Sequence, residues 1–268
     1  MSLPNWSWLP WIKSIKSLRA EIRDDLVEQV DIRKKQMELG TYEGDTDCLT
    51  GIIENNMTLE EVGDHAFTMV GAGHDTTSFF SSYLCLLLAQ HPEVQEALRK
   101  VIFDHLGDKE EVTADDIAEM KYLHKVMQET LRLYAIIPSV TRYCVKETTF
   151  KEASVDGKDV TIPKDTNLYI PMFLMNRDPS VYTEPAKFNP DRFEKGDYTN
   201  ARTGFLPFGY GVRTCIGNTL AQLEVAVFIC HLLRRVSIEE EPGFKVNIAA
   251  GISLTTSNGV RVIFKNLN

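Results

Sequence analysis

Residues Phe205–Glu224 read FLPFGYGVRTCIGNTLAQLE, with Cys215 near the centre. Gly209 and Gly211 precede the cysteine. They can take φ > 0 turns and let the backbone approach a flat partner with no Cβ between. Arg213 lies two residues ahead of the sulfur. After it, Gly217 opens an apolar run (Leu220, Ala221, Leu223, Val225, Ala226, Phe228, Ile229) whose spacing predicts a helix over 217–235. Cys215 thus sits where a glycine-rich loop feeds a helix N-terminus. There, unpaired N–H groups and the helix dipole favour thiolate over thiol. Such a thiolate suits a metal that needs one strong protein ligand on one face. Read alone, the loop leaves a buried, inert cysteine as the other reading.

Upstream, Thr58-Leu-Glu-Glu61 has the form of a capping box, and apolar spacing from Leu59 to Leu88 predicts a helix over 58–90 that stops before Pro92. Its middle, Gly71-Ala-Gly-His-Asp-Thr-Thr77, is weak helix sequence, costing about 1 kcal/mol per glycine against alanine. That leaves two readings, a crossing of small residues or a helix kinked over a bound group. Pro92 fits the first turn of the next helix and Gly107 its stop. Thr113-Ala-Asp-Asp116 caps a stretch that runs into the segment 121–134. There Glu129 and Arg132 are three apart and share a helix face. Val140–Val145, a Val155/Val160–Ile162 hairpin about Asp156-Gly157, and Leu168–Pro171 read as strands. The long Pro- and Asn-rich run 176–204 needs an anchor, and Arg192 is the candidate. The tail reads as short strands, 253–256 and 260–264, around an Asn258-Gly259 turn.

Taken together and in order, these motifs resemble the cytochrome P450 family. Phe208-Gly209-x-Gly211-x-Arg213-x-Cys215-x-Gly217 is similar to its haem-binding loop, and Ala72-Gly73-x-Asp75-Thr76-Thr77 to its oxygen-activation motif. Glu129-x-x-Arg132 with Arg192 of Phe188-Asn-Pro-Asp-Arg-Phe193 is similar to its remaining signatures. The resemblance implies a mainly α fold with small β-sheets (α+β). Cys215 would be the axial ligand of a haem, with Phe208, Gly209, Gly211, Gly217, Ala72 and Gly73 around the cofactor. It further implies Arg142 and Arg213 on the propionates, Thr76 bonded to the dioxygen with Asp75 in a proton relay, and a structural Glu129–Arg132–Arg192 network. The activity implied is a monooxygenase acting on a small apolar substrate, with electrons from a separate reductase or ferredoxin.

All matches belong to the C-terminal half of that fold. The expectation is one partial domain over 1–268 with the N-terminal half absent. A truncated, non-catalytic haem binder or an incomplete gene product is then the alternative.

Composition narrows the partners. The chain has 268 residues, 29 basic against 38 acidic, a net charge of −9. This argues against nucleic acid as the main partner. The five cysteines (48, 85, 144, 215, 230) form no C-x-x-C pair and fit a reducing, intracellular compartment. No G-x-G-x-x-G occurs, so no dinucleotide site is expected. No run reaches the roughly 18 apolar residues of a membrane span, and Pro4 and Pro10 interrupt any signal-peptide core. Residues 1–39 hold all three tryptophans (6, 8, 11), then Ile12, Ile15, Ile22 and Leu26 among Lys13, Lys16, Arg19 and Arg23. This segment reads either as a helix packed on the domain or as an interfacial helix giving peripheral membrane contact through 1–30. The second reading fits endoplasmic-reticulum association of a longer form. Residues 40–57 read as a linker.

Overall fold

The computed structural model describes residues 10–44, 47–55, 57–154, 156–194 and 204–267, and the side chains of 10–16 lie outside the description. The chain divides into two compact units, 1–75 and 76–268, each with its own packing.

In the first unit α1 (Pro10–Glu38) is followed by α2 (Cys48–Ile53) and by the first half of α3 (Leu59–Gln90). The expected linker therefore contains a helix. Asp47 makes it, by accepting a hydrogen bond from the Thr50 N–H at 2.8 Å and caring for an N-terminal donor that the short helix leaves unpaired. Arg33 ties α2 back to α1 through Asp47 (2.9 Å) and lies over the Tyr42 ring at 4.1 Å. Helix α3 starts as the capping box predicts: Thr58 N donates to Glu61 Oε2 (2.9 Å), and Glu61 N to Thr58 Oγ1 (3.3 Å). Val30 and Val62 are buried. A Cβ on Gly63 would come within 2.3 Å of Val27 Cγ2, so only glycine permits α1 and α3 to touch there. Trp6 and Trp8 lie outside the described residues, as does the side chain of Trp11. Of the expected apolar stripe, Leu26 is partly buried while Ile22 is exposed. Among the described residues no helix is long and apolar enough to cross a membrane.

The second unit takes up α3 at Thr76 and adds α4 (Pro92–Leu106), α5 (Ala114–Glu119), α6 (Lys121–Leu133), α7 (Met172–Met175) and α8 (Asn218–Leu233). Pro92 opens α4 and Gly107, at φ +52°, ends it. The Thr113/Asp116 box caps α5. Met120 then separates α5 from α6, where one continuous helical stretch was expected. The core forms where Tyr83, Leu84 and Leu88 of α3 meet Leu98 and Ile102 of α4, Leu123 and Val126 of α6, and Val225, Ile229 and Leu233 of α8. All are essentially inaccessible, and each such aliphatic side chain contributes about 1.5–3 kcal/mol. Tyr83 stacks flat on Tyr134 at 4.3 Å and donates from its hydroxyl to the Leu254 carbonyl.

Among the described residues, eight short strands pair two by two, all antiparallel: β1 (Val140–Tyr143) with β4 (Asn167–Ile170), β2 (Thr148–Phe150) with β3 (Val160–Ile162), β5 (Val236–Glu240) with β8 (Val262–Asn266), and β6 (Ile248–Ala250) with β7 (Leu254–Thr256). Two sequence expectations are corrected here. Val160–Ile162 pairs with Thr148–Phe150, its nearest partner Phe150 ten residues upstream of Val160; Val155 lies outside the described residues. The strands flanking Asn258-Gly259 do not pair with each other. β7 turns back to β6 and β8 goes to β5, which buries Ile238 and Leu254 on the core instead of leaving a lone hairpin in water.

Candidate active site

Three backbone features fix the cysteine loop. Gly209 and Gly211 stand at φ +78° and +72°, a region that carries a steric penalty for any residue with a Cβ. The Gly209 N–H donates to the Leu206 carbonyl (3.0 Å), and the Cys215 N–H donates to the Phe208 carbonyl (2.8 Å), closing the loop on itself. Gly211–Arg213 forms a single 3-10 turn, held by Thr214 N and Oγ1 on the Gly211 carbonyl. Gly217 then caps α8, whose buried face (Val225, Ala226, Ile229, Cys230, Leu233) anchors the loop to the core.

The five cysteines separate by environment. Burial pushes the Cys85 and Cys230 thiols up to about 12, so these are inert apolar side chains. Cys144 is buried, its thiol directed at the Lys146 carbonyl, and Cys48 is exposed on the first unit. Cys215 is exposed, and the apolar side chains three residues before and one after it, Val212 and Ile216, stand almost wholly in solvent. Tyr210 and Leu220 are exposed as well. An exposed soft sulfur ligand on a loop that also exposes apolar side chains, with no Cβ at two positions, fits the thiolate face of a haem.

Arg142 lies on β1 opposite Leu168, half-buried, and its Nη1 donates to the Thr141 carbonyl. Arg213 is exposed. Among the described residues neither arginine is ion-paired. On α3, the segment Gly71–Asp75 is exposed, Thr76 is half-buried and Thr77 is buried. The helix runs unbroken through these residues. A Cβ built on Gly71 or Gly73 would meet nothing within 4 Å, which disagrees with the small-residue crossing. The Asp75 carboxylate lies 3.1 Å from His74 Nδ1. Asp75 closes the first unit and Thr76 opens the second, so each is described within its own unit.

The structure brings Glu129, Arg132 and Arg192 together. Glu129 and Arg132 have no exposed side-chain surface, and Arg132 binds the carboxylate with two hydrogen bonds, Nε–Oε2 at 2.6 Å and Nη2–Oε1 at 2.8 Å. Arg192 Nε reaches the same Oε1 at 2.9 Å, and the Asn189 N–H donates to it at 2.8 Å. The remaining donors of the two arginines go to carbonyls: Arg132 to those of Asn176, Pro185 and Lys187, Arg192 to those of Thr183, Glu184 and Lys187. The irregular run after α7 is therefore held by two guanidinium forks gripping its own backbone. These acceptors had no signal in the sequence, because a carbonyl belongs to every residue type. Arg177 was also missed. Its guanidinium lies over the Phe173 ring at 3.8 Å and donates to the Leu133 carbonyl.

A family model for cytochrome P450 matches residues 4–261. Among curated relatives, a Caenorhabditis elegans protein named for this family, CYP13A5, is 36% identical over 208 residues, covering 76% of this chain and 38% of that protein. Cytokinin hydroxylase of Arabidopsis thaliana is 27% identical over 278 residues, covering 100% and 53%. Cytochrome P450 3A29 of Sus scrofa is 36% identical over 186 residues, covering 69% and 35%. The chain thus spans between about a third and about half of the length of these relatives.

Proposed function

Because the chain belongs to the cytochrome P450 family, we propose that it forms the haem-ligating and oxygen-handling part of a monooxygenase for small apolar substrates, fed with electrons by a separate protein donor. Haem, when bound, supplies the activation of dioxygen, and thiolate donation favours that chemistry. Cys215 is the residue to hold it. Val212 and Ile216, both exposed close in sequence to the sulfur, offer apolar surface to a flat group laid over it. Arg142 and Arg213 suit the propionates, because a planar guanidinium matches a carboxylate and neither fork is spent on an acidic side chain among the described residues. Asp75, exposed to water, takes up a proton, and the neighbouring Thr76 hydroxyl passes it on. The Glu129–Arg132–Arg192 network touches no reacting atom and serves as the brace of the 176–192 segment. Peripheral contact with a membrane belongs to the same reading, supported by exposed Leu18 and Ile22 on α1.

One observation carries the reading: Cys215 is exposed on a glycine-rich loop that also exposes Val212 and Ile216, while Cys85 and Cys230 are sealed in the core. The test is the absorption spectrum of the haem-loaded, reduced protein under carbon monoxide. The expected result is the strongly red-shifted Soret band of thiolate ligation, lost in Cys215→Ser. Retention of that band in the variant, or failure of the wild-type chain to take up haem, sinks the reading.

A further inference from the structure

Away from the cysteine loop, the second unit holds a cleft of about 220 Å³ between the ends of α3 and α6. It is lined by Leu87, Gln90, His91, Leu133, Tyr134, Arg177, Ala186 and Phe188. Its size falls below the roughly 300–1,000 Å³ of pockets for drug-sized ligands, so its occupant is small.

The charge around it does not balance. Three guanidinium groups, those of Arg132, Arg192 and Arg177, gather about one buried carboxylate, Glu129. Arg132 and Arg192 share that carboxylate. Arg177 is left with carbonyl partners only, those of Leu133 and Phe173. Burial first, and the like charge of Arg132 second, lower its pKa to about 10. It remains cationic at neutral pH, half-buried, with no acidic side chain paired to it among the described residues. The Leu133 carbonyl at the end of α6 offsets part of this charge, as a helix C-terminus does for a nearby cation. A partial dipole charge does not match a full one.

Aromatic rings stand beside that cation, in a cleft whose accessible surface is mostly polar. Phe188 and Leu87 are buried, and the His91 ring lies 5.0 Å from that of Phe188. Tyr134 closes another side, its ring fixed by stacking on Tyr83. The carboxylate that acts on Arg177 from a distance, that of Glu129, is already shared by Arg132 and Arg192.

We infer that this cleft binds a small organic carboxylate, its charge on Arg177 and its body against the rings at the cleft wall, those of Tyr134 and Phe188. A guanidinium takes a carboxylate through two parallel bonds, and aromatic walls favour a flat body over inorganic phosphate.

The test uses the whole chain, with benzoate as the probe, benzamide as its neutral isostere and inorganic phosphate as the bare anion. Binding is read by titration calorimetry and by the shift of the unfolding temperature. Benzoate is expected to bind saturably at one site and benzamide not. Arg177→Gln is expected to weaken benzoate by about tenfold or more, the worth of a charge-assisted hydrogen bond. Ala186→Trp serves as the second variant: Ala186 is exposed and lines the cleft, while the Arg177 bonds go to the Leu133 and Phe173 carbonyls, so the larger side chain is expected to occupy the cleft and spare them. It is expected to abolish binding while the unfolding temperature without ligand stays that of wild type. No saturable benzoate binding, equal binding by Arg177→Gln or by Ala186→Trp, or binding of phosphate but not benzoate each overturns the assignment.

Discussion

Arg192 Nε lies 2.9 Å from Glu129 Oε1, although the two residues are 63 positions apart in sequence. That oxygen also accepts from Arg132 and from the Asn189 N–H. One carboxylate therefore holds a helix, a guanidinium fork and a loop amide at once. Removing it leaves two buried cations facing each other. Glu129→Ala is expected to cost about 3–5 kcal/mol, the usual penalty for breaking a buried pair from one side. The measurement is the urea midpoint at constant slope. A loss under about 1 kcal/mol would class the network with exposed ion pairs, which its burial contradicts.

Gly209 and Gly71 should respond oppositely to alanine. At Gly209, φ is +78°, while the nearest atom to a new Cβ would be the Arg213 carbonyl oxygen at 3.6 Å, an ordinary contact. The cost there is backbone strain, about 1–2 kcal/mol. Gly71 lies inside α3 with open space about it, and alanine should stabilise the helix by about 0.5–1 kcal/mol. Denaturation curves of the two variants check the signs. For Gly209→Ala, faster alkylation of Cys215 would report the displaced loop.

Asp47 sets a pH dependence on the first unit. The Thr50 N–H foremost, then the Arg33 guanidinium, hold its carboxyl at about 2 against an ordinary 3.8. A lowered carboxyl stabilises the fold above its unfolded value, and that contribution is lost as pH falls through the folded value. Asp47→Ala should cost α2 about 1 kcal/mol at neutral pH, the worth of an N-cap. The gap between wild type and variant should close as pH drops from 3.8 to about 2. Amide exchange of residues 48–53, followed against pH, reads this directly.

Thr76→Ala separates haem binding from use of its electrons. The variant is expected to take up haem as wild type does, yet to turn supplied electrons into hydrogen peroxide at the expense of product. Unchanged product per electron counts against Thr76 as the proton-passing group.

Much of this was legible before any coordinates, and the reason differs by feature. The caps at Thr58, Pro92, Gly107 and Thr113 are local chemistry, settled within four residues, and the structure keeps each. Glu129 and Arg132 are neighbours on one helical turn, so their contact follows from spacing. Strand partners are another matter. Val262–Asn266 pairs with Val236–Glu240, and Leu254–Thr256 with Ile248–Ala250, because burying Ile238 and Leu254 outweighs the nearest available turn, while Val160–Ile162 reaches back to Thr148–Phe150 across a loop longer than the Asp156-Gly157 turn alone. The carbonyls that receive Arg132 and Arg192 were invisible for a different reason: their positions depend on the path of the 176–192 segment, not on its side chains. The helix at Cys48–Ile53 was missed because six residues carry little periodic signal, and its cap, Asp47, is as common in turns as at helix starts.

Val212 and Ile216 have a cost outside catalysis. A surface with two such side chains beside a bare thiol is adhesive, and molecules bearing it stick to one another or are retained by chaperones until something flat covers it. The yield of monomeric protein from cells should then track the supply of porphyrin precursor, so the two exposed residues near the sulfur make the chain's solubility a gauge of its loading.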